Sequence, residues 1–409
     1  MPEAWCGYHP AVAGTPIVGS DSVRVHLRRD AGRLGASTGP WIRARQVAKV
    51  NGPASAACIA EIVDRRGETA GWGLYSEASS IAVRVLSWSA ERPPETWLQT
   101  RIEQAVRARG RLGFGTPQTD GYRVINSEGD GLPGLVVDRY GPDAVIQLTT
   151  APMVARRSEI VSQVREHLPV ERVHVLVPES AAKHEGVAPE ASIEGDPDTL
   201  TFHEAGLRFT VDPPPAQKTG AYFDQRDNRR WVAAAAARIG GGLLDVGCHV
   251  GGFALHAAAH GVPAVGVDSS KRALARGAAN ADAAGLSGVT WVETDMFGRL
   301  DDPALTGPFG TIVFDPPKLA ARKSDVDKAV GAMTRTLGRL ATRVTDGGIM
   351  VLCSCSHHLS TAHLDRAVSG AGSTTWARIA TLGPDVDHPV APSHREGEYL
   401  VVAVYQRRA

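Results

Sequence analysis

The chain has few of the features that mark secreted, membrane-bound or strongly charged proteins. Its 409 residues contain only five cysteines, an odd number, which argues against a disulfide framework and favours a reducing compartment. The 44 basic and 44 acidic residues cancel, so any argument for a nucleic-acid partner must be local. No apolar run is long enough to span a bilayer, and the N-terminus lacks the basic and apolar regions of a secretory signal. These absences predict a cytoplasmic protein with no membrane partner.

The length and the glycine and proline punctuation predict three domains after a loose tail at residues 1–20. Short alternating runs over residues 21–95, at residues 23–27, 59–63 and 81–86, predict strands of a small β-barrel. Residues 96–198 mix helices and strands and predict a central α+β domain. From residue 199 to residue 409, strands alternate with helices, which predicts a doubly wound α/β domain with a Rossmann-like sheet.

Three local predictions within these domains are specific enough to check. Residues 153–167 have the pattern of one helix, and residues 178–198 are polar and predict a loop or linker. A hairpin is predicted from Leu207 onward. Basic residues outnumber acidic ones over residues 21–115, and a face that contacts phosphates needs such a cluster, although a solvated basic surface has the same composition. The densest part of this basic cluster contains Arg24, Arg28, Arg29, Arg33, Arg43, Arg45 and Lys49.

The stretch from Leu243 to Phe253 organises the C-terminal domain. A short apolar run contains Asp245 near its end, and a turn bounded by Gly247 and Gly251 leads into an alanine-rich helix. This is how a Rossmann-like sheet begins its first strand-to-helix crossing, and the two glycines are predicted to let a ligand approach the backbone. His249 occupies the middle glycine position of the dinucleotide pattern, so the spacing alone does not specify a dinucleotide.

Four successive predicted strands end at or next to a carboxylate. These residues are Asp245, Asp268, Asp295 and Asp315. Any one of them could simply cap the following helix, but four together predict a ligand crevice at the carboxyl edge of the sheet. Acids around the pocket would repel a pyrophosphate, whereas the ribose hydroxyls, amino group and sulfonium of S-adenosylmethionine suit carboxylates. The predicted cofactor is therefore S-adenosylmethionine.

A second cluster, Cys353-Ser354-Cys355-Ser356-His357-His358, follows an apolar strand at the same edge. A cysteine there would face the mouth of the site, where a polar, partly open environment can favour its thiolate. Zinc binding and simple burial are the alternatives, and burial suits Cys353 better than Cys355.

A methyltransferase needs a cysteine when its target is carbon 5 of a pyrimidine, which has no lone pair. A thiolate that adds to carbon 6 turns the ring into an enamine, so that carbon 5 becomes nucleophilic. Asp315 is predicted to stabilise this adduct through the ring nitrogen and the exocyclic amine. The base must leave its stack to reach both groups, which predicts a single-stranded or flipped RNA substrate.

Taken together, these motifs resemble the bacterial 23S rRNA (cytosine-5)-methyltransferases of the RlmI type, which combine a PUA domain, a central domain and a Rossmann-like methyltransferase domain. The stretches that carry the resemblance are residues 120–140, 218–229, 315–318, 354–356, 387–390 and 396–400. The resemblance implies that Cys355 of the Ser-Cys-Ser motif is the nucleophile. It also implies that Gln225 and Arg226 lie close to the cofactor, that the substrate is ribosomal RNA and that a homodimer is an option. We expect Lys318 and the basic cluster to contact RNA.

The chain departs from the family pattern at Gly39-Pro40-Trp41, where His-Pro-Trp is usual, and at Cys248-His249 in the cofactor turn. These departures concern the RNA target more than the chemistry. Two alternatives stay open: methylation of another RNA nucleotide or of an exocyclic nitrogen, which needs no cysteine, and a protein that binds S-adenosylmethionine and RNA without catalysis.

Overall fold

The computed structural model describes residues 23–32, 34–52, 58–195, 197–213 and 221–408. The predicted tail at residues 1–20, Arg33 of the basic cluster and residues 218–220 of the motif before Asp224 lie outside the described residues. Within the described ranges, no helix combines the length and the apolar composition that a membrane crossing requires.

A six-stranded sheet forms the N-terminal part, which we call the N-terminal sheet domain. Its strands are β1 (Arg24–Leu27), β2 (Trp41–Arg43), β3 (Val47–Asn51), β4 (Ile59–Val63), β5 (Thr69–Tyr75) and β6 (Ile81–Ser87), in the order β2-β6-β5-β4-β1-β3. Alternate side chains such as Val25, Ile62 and Val83 are fully buried in its core. The predicted strands at β1, β4 and β6 are confirmed. Sequence analysis missed β5 because Gly71 and Gly73, which pack directly on the backbone of β6 and the residues after it, interrupt the alternation.

The central part contains a five-stranded sheet in the order β11-β10-β9-β8-β7. Its elements are α1 (Trp97–Arg111), β7 (Gly121–Asn126), β8 (Leu135–Tyr140), β9 (Asp143–Leu148), α2 (Ala151–Ala155), α3 (Arg157–His167), β10 (Arg172–Val177), α4 (Glu179–Glu185) and β11 (Glu190–Ser192). One core joins this part to the N-terminal sheet domain, since Trp72 and Leu74 pack in the same cluster as Ile102 and Ile125. The domain boundaries at residues 95 and 198 stay a prediction.

Two predictions for the central part are wrong. The helix expected over residues 153–167 is interrupted at Arg156, where α2 ends and α3 begins. The expected linker contains α4 and β11, because the Glu185 carboxylate of α4 is buried in an ion pair with Arg84 of β6 at 2.7 Å. A buried charge looks like a surface residue in the sequence, so the polar composition of this segment misled the prediction.

The C-terminal part begins with the hairpin β12 (Leu200–Glu204) and β13 (Leu207–Val211), so the predicted hairpin starts earlier than Leu207. The elements that follow are α5 (Arg226–Ile239), β14 (Leu243–Val246), α6 (Gly252–Ala259), β15 (Ala264–Asp268), α7 (Lys271–Ala283), β16 (Val289–Glu293), β17 (Phe309–Phe314), α8 (Val326–Ala341), β18 (Val344–Ser354), α9 (Thr361–Ser369), β19 (Trp376–Leu382) and β20 (Val401–Arg407).

Seven of these strands form one sheet in the order β16-β15-β14-β17-β18-β20-β19. The first five are parallel, and β20 is antiparallel to both of its neighbours. The strand order reverses between β14 and β17, and ligands of doubly wound sheets bind at the carboxyl ends of the strands at such a reversal. The predicted doubly wound α/β fold is confirmed.

The segment between β19 and β20, residues 383–400, contacts the other two parts of the molecule, and we call it the junction loop. The His394 ring lies 4.5 Å from the Trp41 ring of β2, centroid to centroid. The carbonyl oxygen of Pro389 accepts a hydrogen bond of 3.0 Å from Asn126 of β7. The junction loop therefore fixes the N-terminal sheet domain and the central sheet relative to the C-terminal sheet.

Candidate active site

Asp245 lies at the centre of the crevice, inside β14, with its side chain fully buried. Its Oδ2 accepts a hydrogen bond of 3.1 Å from the Ala254 amide, whereas Oδ1 is equally buried and has no hydrogen-bond partner among the described residues. Burial raises the pKa of Asp245, the nearby Asp315 and Asp268 raise it as well, and the Ala254 amide and Arg229 lower it, so that the net pKa is about 7. A buried carboxylate oxygen without a partner marks a place that a ligand cation can fill.

Gly247 brings the ends of β14 and β17 into direct contact. Its φ is +87°, and a Cβ there would stand 2.4 Å from the carbonyl oxygen of Asp315 and 3.0 Å from Met296 Cε. Only glycine fits this combination of left-handed backbone and close approach. The predicted turn thus places Asp315 beside the crevice.

Asp268 ends β15 and accepts two backbone hydrogen bonds. Oδ2 accepts from the His249 amide and Oδ1 from the Ser270 amide, each at 2.9 Å. These bonds are the capping role that the sequence analysis weighed against ribose binding. A carboxylate has about four acceptor sites, so the capping bonds leave acceptor capacity for a ribose.

Gly251 and Asp295 lie at the border of the crevice that Asp245, Gly247 and Asp268 form. A Cβ on Gly251 would stand 2.3 Å from the Trp291 ring, so close packing accounts for this glycine without a ligand. Asp295 is exposed after β16, and its Oδ1 accepts a hydrogen bond of 3.0 Å from the Phe297 amide. The structure therefore places Asp295 at the rim of the crevice rather than beside Asp245.

Cys355 follows the end of β18 and is partly exposed, whereas Cys353 within the strand is fully buried, as predicted. Burial raises the pKa of Cys353 well above its ordinary value, so that residue stays a thiol. The Ser356 hydroxyl accepts a hydrogen bond of 3.3 Å from the Ala320 amide, which ties the Ser-Cys-Ser turn to the loop that follows Asp315. Among the residues that the structure describes, no group of three or more His, Cys, Asp or Glu side chains could hold a metal ion.

Tyr222 lies against the cofactor turn, and the sequence analysis did not single it out. Burial raises its pKa, and the negative charges of Asp315 and then Cys355 raise it further, which shows that both groups are close to the phenol. Its ring packs edge-on against His249 with 5.3 Å between centroids. Its position two residues before Asp224 of the Asp-Gln-Arg segment was the only signal in the sequence.

Gln225 and Arg226 were both predicted to lie near the cofactor, but only Gln225 is part of this group. Its Nε2 donates a hydrogen bond of 3.1 Å to Asp315 Oδ2. The Arg226 guanidinium is 3 % exposed and binds Asp385 at 2.6 Å and Asp387 at 2.8 Å, two acids of the junction loop. These ion pairs turn the Arg226 guanidinium towards the junction loop, and its place near the cofactor stays a prediction.

The residues predicted to contact RNA lie in two places. On the N-terminal sheet domain, all but the half-buried Arg43 are exposed: Arg24, Arg28, Arg29, Arg45 and Lys49. Some already pair with acids, at 2.8 Å for Arg24 with Glu61 and 3.4 Å for Arg43 with Glu396 of the junction loop. Lys318 is exposed beside Asp315, close enough to His357 that its charge, after burial, lowers the pKa of that histidine.

Comparison with protein families explains this arrangement. Residues 142–407 match the family model described as S-adenosylmethionine-dependent methyltransferase, and residues 25–88 match a PUA-like domain. The chain belongs to the S-adenosylmethionine-dependent methyltransferase family. The predicted cofactor is confirmed, and the N-terminal sheet domain of this methyltransferase is PUA-like.

Curated relatives match almost the whole methyltransferase. A "Ribosomal RNA large subunit methyltransferase" of Deinococcus radiodurans is 34% identical over 90% of this chain and 93% of its own. The "Ribosomal RNA large subunit methyltransferase I" of Escherichia coli is 30% identical over 93% of this chain and 98% of its own.

Solved structures share the fold at low identity. An S-adenosylmethionine-dependent methyltransferase from Streptococcus mutans has a TM-score of 0.76 at 18% identity, over 94% of this chain and 99% of its own. A methyltransferase solved in complex with SAH has a TM-score of 0.78 at 17% identity, with the same coverage.

The crevice also fits the cofactor of this family on its own evidence. S-adenosylmethionine carries a positive ammonium and a positive sulfonium, and a cationic donor is what Asp245 Oδ1 lacks. Asp268 and Asp315 both raise the pKa of Asp245, so the three carboxylates share one electrostatic environment. Such a site attracts a cation and repels a pyrophosphate.

Proposed function

We propose that this methyltransferase forms 5-methylcytosine in ribosomal RNA, with 23S rRNA as the substrate, through a covalent adduct with Cys355. The observation that carries the proposal is the partly exposed Cys355 at the end of β18, next to Asp315 at the end of the neighbouring β17. The names of the relatives and the PUA-like domain support ribosomal RNA as the substrate class.

Five residues would hold the cofactor. Asp245 Oδ1 accepts from its ammonium group, Asp268 accepts from its ribose hydroxyls, and Gly247 and Gly251 shape the turn beneath it. Asp295 closes the rim. When bound, S-adenosylmethionine supplies the methyl group that is transferred.

Cys355 would act as the nucleophile. The Sγ thiolate forms a bond to carbon 6 of the cytosine, and the electron pair of the 5,6 double bond moves towards carbon 5, which is then able to attack a methyl group. After methylation a base removes the proton from carbon 5. The electron pair of that C–H bond re-forms the double bond as the bond between Sγ and carbon 6 breaks, and the thiolate is regenerated.

Asp315 would hold the cytosine during these steps. Its carboxyl group faces the ring nitrogen and the exocyclic amine, where charge changes as the adduct forms. Tyr222 lies close to both Asp315 and Cys355, so the reacting ring is enclosed on that side. A cytosine reaches this site only when it is out of its stack, which requires single-stranded or flipped RNA.

The exposed arginines of the N-terminal sheet domain, together with Lys318, would bind the phosphates of the RNA. Lys318 is the exposed fourth residue of the Asp-Pro-Pro-Lys motif that begins at Asp315. The homodimer and the cytoplasmic location expected from the sequence stay predictions.

Substitution of Cys355 separates carbon methylation from nitrogen methylation. We expect Cys355→Ala to lose nearly all methyl transfer to unmodified ribosomal RNA, and Cys58→Ala, a cysteine beside β4 in the N-terminal sheet domain, to retain it. RNA that contains 5-fluorocytidine should form an adduct that survives denaturing electrophoresis with the Cys58→Ala variant but not with Cys355→Ala, because fluorine cannot leave as a proton. Full transfer by Cys355→Ala would instead indicate an acceptor such as an exocyclic nitrogen.

A further inference from the structure

A row of hydrogen bonds through two buried amide side chains, Asn228 and Gln225, leads from the junction loop to Asp315, and we call it the relay. Asn228 Nδ2 donates to the carbonyl oxygen of Gly383 at 3.0 Å and to Gln225 Oε1 at 2.7 Å. Gln225 Nε2 then donates to Asp315 Oδ2 at 3.1 Å. Both amide side chains are 3 % exposed, so water does not compete for these bonds.

A backbone carbonyl group determines which end of each amide group in the relay donates and which end accepts. The two ends of an amide group are easily confused, and their assignment depends on their partners. The carbonyl oxygen of Gly383 can only accept, so Asn228 must present its NH2 group there. Gln225 must then present its oxygen to Asn228 and its NH2 group to Asp315.

The turn that carries Gln225 is held in place from both sides. The Tyr399 hydroxyl donates to Asp224 Oδ2 at 2.7 Å, and the Asp385 amide donates to the Asp224 carbonyl oxygen at 3.0 Å. The amide group therefore has little freedom to turn away from Asp315.

We infer that Asn228 and Gln225 are positioning residues that orient Asp315 and decide which of its oxygens can carry a proton. The inference rests on the role of Asp315 in the proposed function. An N–H group that donates to Oδ2 stabilises the ionised carboxylate. When Asp315 is protonated, Oδ2 stays the carbonyl oxygen, which is the better acceptor, and the proton lies on Oδ1. Asp315 thus presents a defined oxygen to the cytosine, and Gln225 acts through Asp315 rather than as a ligand of the cofactor.

Isosteric substitutions test the relay. In Gln225→Glu a carboxylate replaces the NH2 donor about 3 Å from Asp315, and two carboxylates at that distance share a proton. We expect kcat at pH 7 to fall about tenfold and the acidic limb of the pH–rate profile to move up by about one pH unit or more. In Asn228→Asp the new carboxylate cannot donate to Gln225, so the Gln225 amide turns and the shift has the same direction.

Asp227→Asn is the matched control. Asp227 of α5 lies between Gln225 and Asn228 in the sequence, but its side chain is exposed and pairs with Arg230 at 3.1 Å. We expect its pH–rate profile and its kcat to be those of the wild type.

Three readouts decide the inference. SAH affinity, measured by calorimetry, should stay within about threefold of wild type in both relay variants, since a loss of tenfold or more would make Gln225 a cofactor ligand. A lower melting temperature with an unchanged pH–rate profile would reduce the relay to a structural role and overturn the inference. The identity of the methylated nucleoside is measured on wild type alone, so a nucleoside other than 5-methylcytosine refutes the proposed function separately from the relay.

Discussion

Replacement of Gly247 by alanine tests the contact between the ends of β14 and β17. The added Cβ would stand 2.4 Å from the carbonyl oxygen of Asp315, at a backbone φ of +87°. The left-handed conformation costs an alanine about 1–2 kcal/mol. Displacement of the carbonyl adds roughly 1–3 kcal/mol of overpacking strain. We expect the free energy of unfolding to fall by about 2–5 kcal/mol and SAH affinity to fall about tenfold or more, because Asp315 must move relative to the crevice.

Gly261→Ala is the control for the backbone cost alone. Gly261 lies in the turn between α6 and β15 with φ +74°, and a Cβ there meets nothing within 4 Å. This variant should lose about 1–2 kcal/mol of stability and keep its affinity for SAH. Urea unfolding and calorimetry measure the two quantities. Wild-type SAH affinity in Gly247→Ala, or an equal loss in both variants, would refute the reasoning.

Three further predictions follow from buried and exposed charges. The folded protein holds the Asp245 proton up to about pH 7, whereas the unfolded chain releases it near the ordinary pKa of an aspartate, so the stability of the cofactor-free protein falls as the pH rises towards 7. Asp245→Asn should remove this pH dependence in thermal melts and should weaken SAH binding. Arg226→Gln removes the guanidinium that pairs with the buried Asp385 and Asp387 and should cost about 3–5 kcal/mol in urea unfolding, against under about 0.5 kcal/mol for the exposed Arg230→Gln. Arg45→Ala should lower the salt dependence of RNA binding by about one unit of slope in fluorescence anisotropy, whereas Arg107→Ala on α1 should leave it unchanged.

The sequence predicts the C-terminal sheet well where strands are buried on both faces. β17 is buried along its whole length, and β14 likewise, so each reads as an apolar run with an acid at or near its end. β19 was missed because it is an edge strand with Ile379 47 % exposed and no alternating pattern. Strands that depend on pairing rather than on burial leave a weak sequence signal.

The same distinction holds for the site. Cys355 and Asp315 were predicted because the chemistry at strand ends is local in sequence. The ion pair of Arg226 with Asp387 could not be predicted because the two residues lie 161 positions apart. The role of Asn228 depends on Gly383, which is 155 residues away. Its spacing of three residues from Gln225, which directly precedes α5, was the only local signal.

The nucleoside that receives the methyl group tests the central claim most directly. Unmodified ribosomal RNA would be incubated with the protein and isotopically labelled S-adenosylmethionine, digested to nucleosides and analysed by mass spectrometry. The account predicts label in 5-methylcytosine and none in that nucleoside with Cys355→Ala. Label in a different nucleoside would contradict the role of Cys355 as nucleophile, and no label in any ribosomal RNA would contradict the proposed substrate.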